Sequence, residues 1–397
     1  MRRRGVAGVL LGVAVLAVLA WAPPAAAASK CLVINDALNT SYRSLQPAQD
    51  AAAAGATLWV RGGCVGTTTI TKDLTLTGQQ PPGFPSPTLD GADQGSVLTV
   101  TGGVAVTINT LTIRGGNAER GGGILNDGGT NAGGTVTLNH STVSDNTAAW
   151  GGGIANNGPL TLNHSSISDN TADRGGGIFN ADRVGSIFEA ELGRVTLNDT
   201  SISNNTAESG GGVSNEGGAV TLNDSSSSSN TAVRGGGIYQ IQFGSVTLND
   251  TSSISDNTAE FGGGIDNEPY GTVTLNDTSS ISSNTARSFG GGINNSSANL
   301  ILNGSSSISD NTAGSGGGIA NNGGVRLNDT SSITRNHAEV GVGGGIYNNR
   351  MVTLNDSSSV SDNTAEVNGG GIFNTPGGSV GLNGGTVTGN IPNDIYP

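Results

Sequence analysis

Three consecutive glycines followed by a β-branched residue recur ten times in this chain, beginning at Gly121, Gly151, Gly175, Gly210, Gly235, Gly262, Gly290, Gly316, Gly343 and Gly369. The residue after the triplet is Ile, except for Val213, and two positions later stands Asn or, once, Gln240. The copies are mostly 24–28 residues apart. A unit that short cannot bury a core alone. It must stack on its neighbours, and a fixed period of this length is the mark of a solenoid with one coil per repeat.

Each copy carries two further apolar signals. One is Val-Thr-Leu-Asn, as in Val136–Asn139, with Leu at 138, 162, 197, 222, 248, 275, 302, 327, 354 and 382. The other is Ile-Ser-Asp-Asn, as in Ile167–Asn170, with Asn at 146, 170, 205, 230, 257, 284, 311, 336, 363 and 390. Val and Leu two apart share one face of a strand, and Thr takes the other. Three strands and three turns therefore make one triangular coil, its apolar faces inward. Coils ~4.8 Å apart would pair each strand with its copies above and below in parallel sheets. The expected architecture is all-β: a parallel β-helix of about 12 coils of three short strands, with an N-terminal capping helix.

Composition fits this reading. Gly accounts for 67 of 397 residues, against about 7% ordinarily. With only 12 Pro and no Gly-X-Y period, collagen is excluded. Few aromatics (4%) and few charges (12%) would suit disorder, but the regular apolar columns argue against it. The net charge is −13, with Lys30 and Lys72 the two lysines, a poor balance for nucleic acid or an anionic membrane.

Residues 1–28 read as a secretory signal peptide: Arg2–Arg4, an apolar stretch from Val6 to Trp21, and an Ala-x-Ala site in Ala25–Ala28. Lys30 before Cys31 argues against a lipoprotein. There is no second apolar run, so the mature chain is expected to be a secreted, extracellular monomer with no membrane span. In such a compartment Cys31 and Cys64, the only two Cys, are expected to form a disulfide, stabilising by ~3–4 kcal/mol in the chain-entropy picture. Residues 29–118 form a cap and irregular first coils. Within them Ser44–Gly55 reads as a helix, capped by Ser44, with Pro47 in its first turn, Leu45, Ala48 and Ala52 on one face, and Gly55 as its stop. Regular repeats fill 119–397.

The Asn columns are expected to make the bends between sheets, because Asn tolerates left-handed backbone, and to bond amide to amide from coil to coil. The turn between the Gly-Ile and Val-Thr-Leu strands varies from eight to nineteen residues between Ile and Leu, so it is the one that tolerates insertions. The longest insert is Ala181–Arg194.

The pairing of Gly-Gly-Gly-Ile with Ile-x-x-Asn, as in Ile254–Asn257 followed by Gly262–Ile265, resembles the polymorphic outer-membrane protein repeat family. The resemblance covers residues 104–390. It implies the right-handed parallel β-helix of the pectate-lyase class and an adhesin-like surface role. Ser44-Leu45-Gln46 and Lys72–Gly78 resemble the capped first coils of secreted bacterial β-helix proteins.

No catalytic site and no metal site is assigned. Glycoside hydrolysis requires two positioned carboxylates, and most acids here belong to the repeat. Asp199, Asp224, Asp250, Asp277, Asp329 and Asp356 follow the second-strand Asn; Asp145, Asp169, Asp256, Asp310 and Asp362 lie in Ser-Asp-Asn. An acid copied in coil after coil reads as a turn former. Ca²⁺ is the one cofactor these columns suggest, by relieving stacked like charges. Outside the repeat, Asp182, Arg183, Glu189, Glu191 and Arg194 cluster in the insert, and His140 and His164 occupy equivalent positions in adjacent coils. The candidate ligand-binding residues flank the glycine triplets: Arg120, Trp150, Arg174, Arg234, Phe261, Phe289 and Tyr239. Flat rings cover apolar sugar faces and guanidinium groups grip carboxylates. The expected function is a secreted, adhesin-like protein binding an extracellular glycan or cell surface without catalysis. The alternatives are a polysaccharide-active lyase or hydrolase of the same fold and a purely structural exoprotein.

Overall fold

A computed structural model describes residues 30–127, 133–181 and 193–397. The segment 1–28 that reads as a signal peptide and insert residues 182–192, with Asp182, Arg183, Glu189 and Glu191, lie outside the described residues.

The chain is an all-β parallel solenoid of about 12 coils, with one short α-helix among the described residues. Three long sheets run its length. The Leu sheet, built from Val-Thr-Leu strands such as Pro159–Asn163, has 15 strands; the Ser sheet (for example Ser166–Ser168) and the Gly sheet (for example Ile154–Asn156) have 13 each. Registers follow the repeat: Leu138 pairs with Leu162, Ile167 with Ile202, and Ile154 with Ile178. Ile124, Leu138, Ile154, Leu162, Ile167 and their copies are fully buried in one continuous core.

Most of the regular coils also carry a fourth strand, of two to five residues, that the three-strand reading did not contain. Thr-Ala segments such as Thr147–Trp150 and Thr258–Phe261 pair from coil to coil in strips of three and five strands, joined through the intervening coils by single bridges. These strips lie between the Ser and Gly sheets in chain order and end at the glycine triplet. The triplet needs glycine for two reasons. Gly151 has a φ of +69°, which L side chains rarely adopt. Gly152 and Gly153 pass so close to the next coil that a Cβ on either would stand 2.6 Å from the carbonyl oxygen of Gly176 or Gly177.

The asparagine columns make three amide ladders. In the innermost, Asn146 Nδ2 donates to Asn170 Oδ1 at 3.0 Å, and the same bond repeats coil by coil to Asn390. Each of these amides also donates to a backbone carbonyl, as Asn170 does to Val143. A second ladder runs from Asn126 to Gln240 and again from Asn267 to Asn374, and a third runs along the Leu sheet. The bends themselves are made elsewhere than expected. The left-handed residues are the neighbours of the ladder, most often Asp: Asp145, Asp169, Asp256, Asp310 and Asp362 before it, and Asp199, Asp224, Asp250, Asp277, Asp329 and Asp356 after the second-strand Asn, with Asn204, Ser229, Ser283 and Arg335 or His140 and His164 at the same places in other coils. A ladder Asn aims its amide along the core, whereas a short acid can turn the chain and face water.

At the N-terminal end, Leu32–Asn35 and Thr40–Tyr42 add two antiparallel strands to the Leu sheet, covering its edge. The helix spans Leu45–Ala51, shorter than expected, and Ser44 makes no side-chain cap bond. Its buried face is Leu45, Ala48 and, at its end, Ala52. Cys31 and Cys64 form the expected disulfide, with Cα atoms 4.6 Å apart.

Candidate binding face

Two outward columns flank the glycine triplets, and both are held in register by strand pairing. The residue before each triplet aligns Arg120, Trp150, Arg174, Ser209, Arg234, Phe261, Phe289 and Ser315. The residue after each Ile or Val aligns Leu125, Ala155, Phe179, Ser214, Tyr239, Asp266, Asn294, Ala320, Tyr347, Phe373 and Tyr396. The three predicted arginines and the four predicted aromatics all belong to these columns.

Their surroundings differ along the rod. Arg120 pairs with Asp127, and Arg174 Nη1 lies 2.5 Å from Glu216 Oε1. Arg234 holds Asp266 at 2.8 Å through Nε and Glu268 through Nη2, and its guanidinium lies over the Tyr239 ring, 5.1 Å from the centroid. Tyr239 is buried beneath it, and burial raises its phenol above the ordinary range. Asp266 is wholly buried, accepting from Arg234 and, at 2.8 Å, from Asn294. Burial raises its carboxyl above the usual range, and Arg234 opposes that rise.

Beyond Arg234 the two columns merge into a stack of rings. Phe261 and Phe289 have centroids 6.4 Å apart and planes 11° from parallel. Tyr347, Phe373 and Tyr396 continue at 5.8 and 5.3 Å, each step 7° from parallel. The step from Phe289 to Tyr347, at 6.2 Å, is tilted by 41°. It spans the coil in which Ser315 and Ala320 supply no ring. There the stack opens into a groove of about 360 Å³ lined by Arg234, Phe261, Phe289, Asn294, Ser296, Ala320, Asn322, Tyr347 and Asn349.

Tyr347 and Phe373 stand at the repeat position of Tyr239, so the sequence places them in the outward column, although they are not among the candidate ligand-binding residues; Tyr396, beyond the last triplet, is placed there only by the fold. Ser296, Asn322 and Asn349 were also missed. All three stand three residues after the repeat Ile, and that shared offset is the signal that marks them.

The other candidate features are placed as follows. His140 and His164 stack with centroids 4.9 Å apart, and His164 Nδ1 lies 3.7 Å from Asp199. Among the described residues no three His, Cys, Asp or Glu side chains gather in a way that could hold a metal ion. The exposed Asp columns bond between coils: Asp277 accepts from the Asp250 amide, Asp329 from Gly304, and Asp224 from the Thr251 hydroxyl. No helix among the described residues is long and apolar enough to cross a membrane.

The chain matches no protein-family model, and no curated protein or solved structure is significantly similar to it.

Proposed function

We propose that this is an exported, non-catalytic β-helix that binds a glycan along its aromatic face, in the manner of a surface or adhesin-like protein. The observation that carries the reading is the groove between Phe289 and Tyr347. Three aromatic rings line it together with amide and hydroxyl groups. A sugar presents apolar C–H surface on its ring faces and hydroxyls on its rim. It needs both kinds of surface at once, and concave sites that combine them are where small ligands bind. The Cys31–Cys64 bridge supports a location where thiols oxidise.

Catalysis is a weaker reading of the same groove. The carboxylates beside it, Asp266 and Glu268, are both held by the Arg234 guanidinium, and Asp266 has no exposed surface. Hydrolysis of a glycoside needs two carboxyl groups that reach the bond.

The test is a glycan array with the mature protein and its Phe289→Ala and Tyr347→Ala variants, together with an assay for released reducing or unsaturated ends. Binding that both variants reduce, with no ends released, is the expected result. Release of sugar ends would favour the enzyme. An empty array would leave a structural exoprotein.

A further inference from the structure

We infer that the ligand of this groove is an uncharged polysaccharide rather than an acidic one. The inference rests on the glycan-binding reading above and concerns the chemistry of the polymer.

An acidic polymer carries a carboxylate or sulfate on its repeating units. Taking such a group out of water requires a cation or several donors to replace its hydration. The three guanidinium groups of the column before the triplets are each paired with a carboxylate. Arg120 is held by Asp127, and its side chain is 13% exposed. Arg174 is held by Glu216, and Arg234 by both Asp266 and Glu268. The cluster beside the groove therefore sets two carboxylates against one guanidinium, on a chain whose formal net charge is −13. An incoming anion would meet like charge there and would have to displace a carboxylate that is part of the fold.

The polar part of the lining, Asn294, Ser296, Asn322 and Asn349, suits hydroxyls. Each Asn amide supplies two donors and an acceptor with two lone pairs, and Ser supplies one donor and two acceptor pairs. A sugar hydroxyl both gives and takes a hydrogen bond and is matched on both counts. A carboxylate only accepts, and leaves the amide oxygens facing it unsatisfied. Asn349 Nδ2 donates to Asn322 Oδ1 at 2.6 Å, so these two amides stand as a fixed pair along the solenoid axis. The rings are arrayed along the same axis, from Phe261 to Tyr396. A chain laid lengthwise meets both rings and amides.

The experiment is affinity electrophoresis and calorimetry of the mature protein with neutral polymers (mannan, arabinoxylan and a soluble β-glucan) and acidic ones (polygalacturonate and alginate). Each is run at low salt and at about 0.5 M salt, where attraction between exposed charges is screened. The expected result is binding to at least one neutral polymer, changing less than about twofold with salt. Tyr347→Ala and Phe289→Ala should each weaken it by about tenfold, the equivalent of 1.4 kcal/mol, with the melting curve remaining cooperative. Binding of the acidic polymers alone, weakened by salt, overturns the inference while the glycan-binding reading stands. Failure to bind any polymer of either class overturns both.

Discussion

The outward columns of coils 120–240 and those of coils 261–396 stand on the same backbone and in the same register, yet they carry different chemistry. The first half is a run of guanidinium–carboxylate pairs: Arg120 with Asp127, Arg174 with Glu216, Arg234 with Asp266 and Glu268. The second is a stack of rings ending at Tyr396. The first half spends its charges on itself; the second leaves a groove open to solvent. The inside of the rod does not change between them. Buried Ile and Leu, glycine at each close approach and the asparagine ladder run through both halves. The repeat is therefore a property of the interior, and the outer columns are free to differ from coil to coil.

The largest effect should come from the interior, and it should ignore the boundary between the halves. Asn170 and Asn311 occupy the same ladder rung position in the two halves, both fully buried, each donating to the next Asn and to a backbone carbonyl. Asp at either site removes the donors and places a charge in the core. Asn170→Asp and Asn311→Asp should each destabilise by about 3 kcal/mol or more, and by similar amounts, as read from denaturant midpoints. A large difference between them would mean that the interior is not uniform.

The second effect lies at the junction and concerns pH. Burial raises the Asp266 carboxyl above its unfolded value. In the interval between the two values the folded chain binds more proton than the unfolded one, so this group's contribution to stability rises as pH falls from neutrality and is lost as pH rises again. Asp266→Asn keeps an acceptor for Arg234 and removes the titration. The stability of the wild type minus that of the variant should increase between about pH 7 and pH 4. A difference that stays flat, or falls, would show that Arg234 outweighs burial. Asp310 gives the contrasting case. The exposed Arg335 fork holds its carboxyl below the ordinary range, so its contribution is present at neutrality and lost on acidification.

How much of this was legible beforehand follows from where each signal sits. The core columns, the tolerant turn and the ladder could be read because each is one residue type repeated at one offset. The fourth strand could not: it runs two to five residues and keeps only Ala constant, with no alternation to mark it. The antiparallel Leu32–Asn35 and Thr40–Tyr42 occur once, outside the repeat, so no periodicity flags them. The partners of the arginines were also hidden. Arg174 and Glu216 are 42 residues apart, and Glu216 closes a Gly-sheet strand one coil on. For the same reason Tyr239 reads as an exposed ring from the sequence, whereas Arg234 covers it in the fold. The bends were assigned to Asn because its conformational tolerance is a property of the residue alone. That the Asp beside it takes the bend, leaving Asn for the core, depends on which of the two the coil buries.

The third prediction separates the halves by function. Phe289→Ala should weaken binding to a neutral polysaccharide by about tenfold and cost about 1 kcal/mol of stability, the worth of one or two ring contacts. Trp150→Ala, in the first half, should leave binding within about twofold. Equal losses from both would make the face continuous and erase the distinction between ion pairs and rings.

The smallest effect should be found at the pair that defines the first half. Arg174 is half exposed, and its partner Glu216 lies at the end of the strand Val213–Glu216. An ion pair at such a surface gains little over its hydration and contributes about 0.2–1 kcal/mol. Arg174→Ala should therefore shift the unfolding midpoint only slightly, and by less at high salt, since screening already weakens the pair in the wild type. It should leave neutral-polymer binding unchanged, because Phe289 and Tyr347 lie several coils away. If it abolished binding, the guanidinium would be a ligand contact rather than a partner of Glu216, and the first half of the face would have to be counted as part of the site. If Glu216→Gln instead brought on binding of polygalacturonate, the carboxylate would be shown to occupy the place an acidic ligand would take.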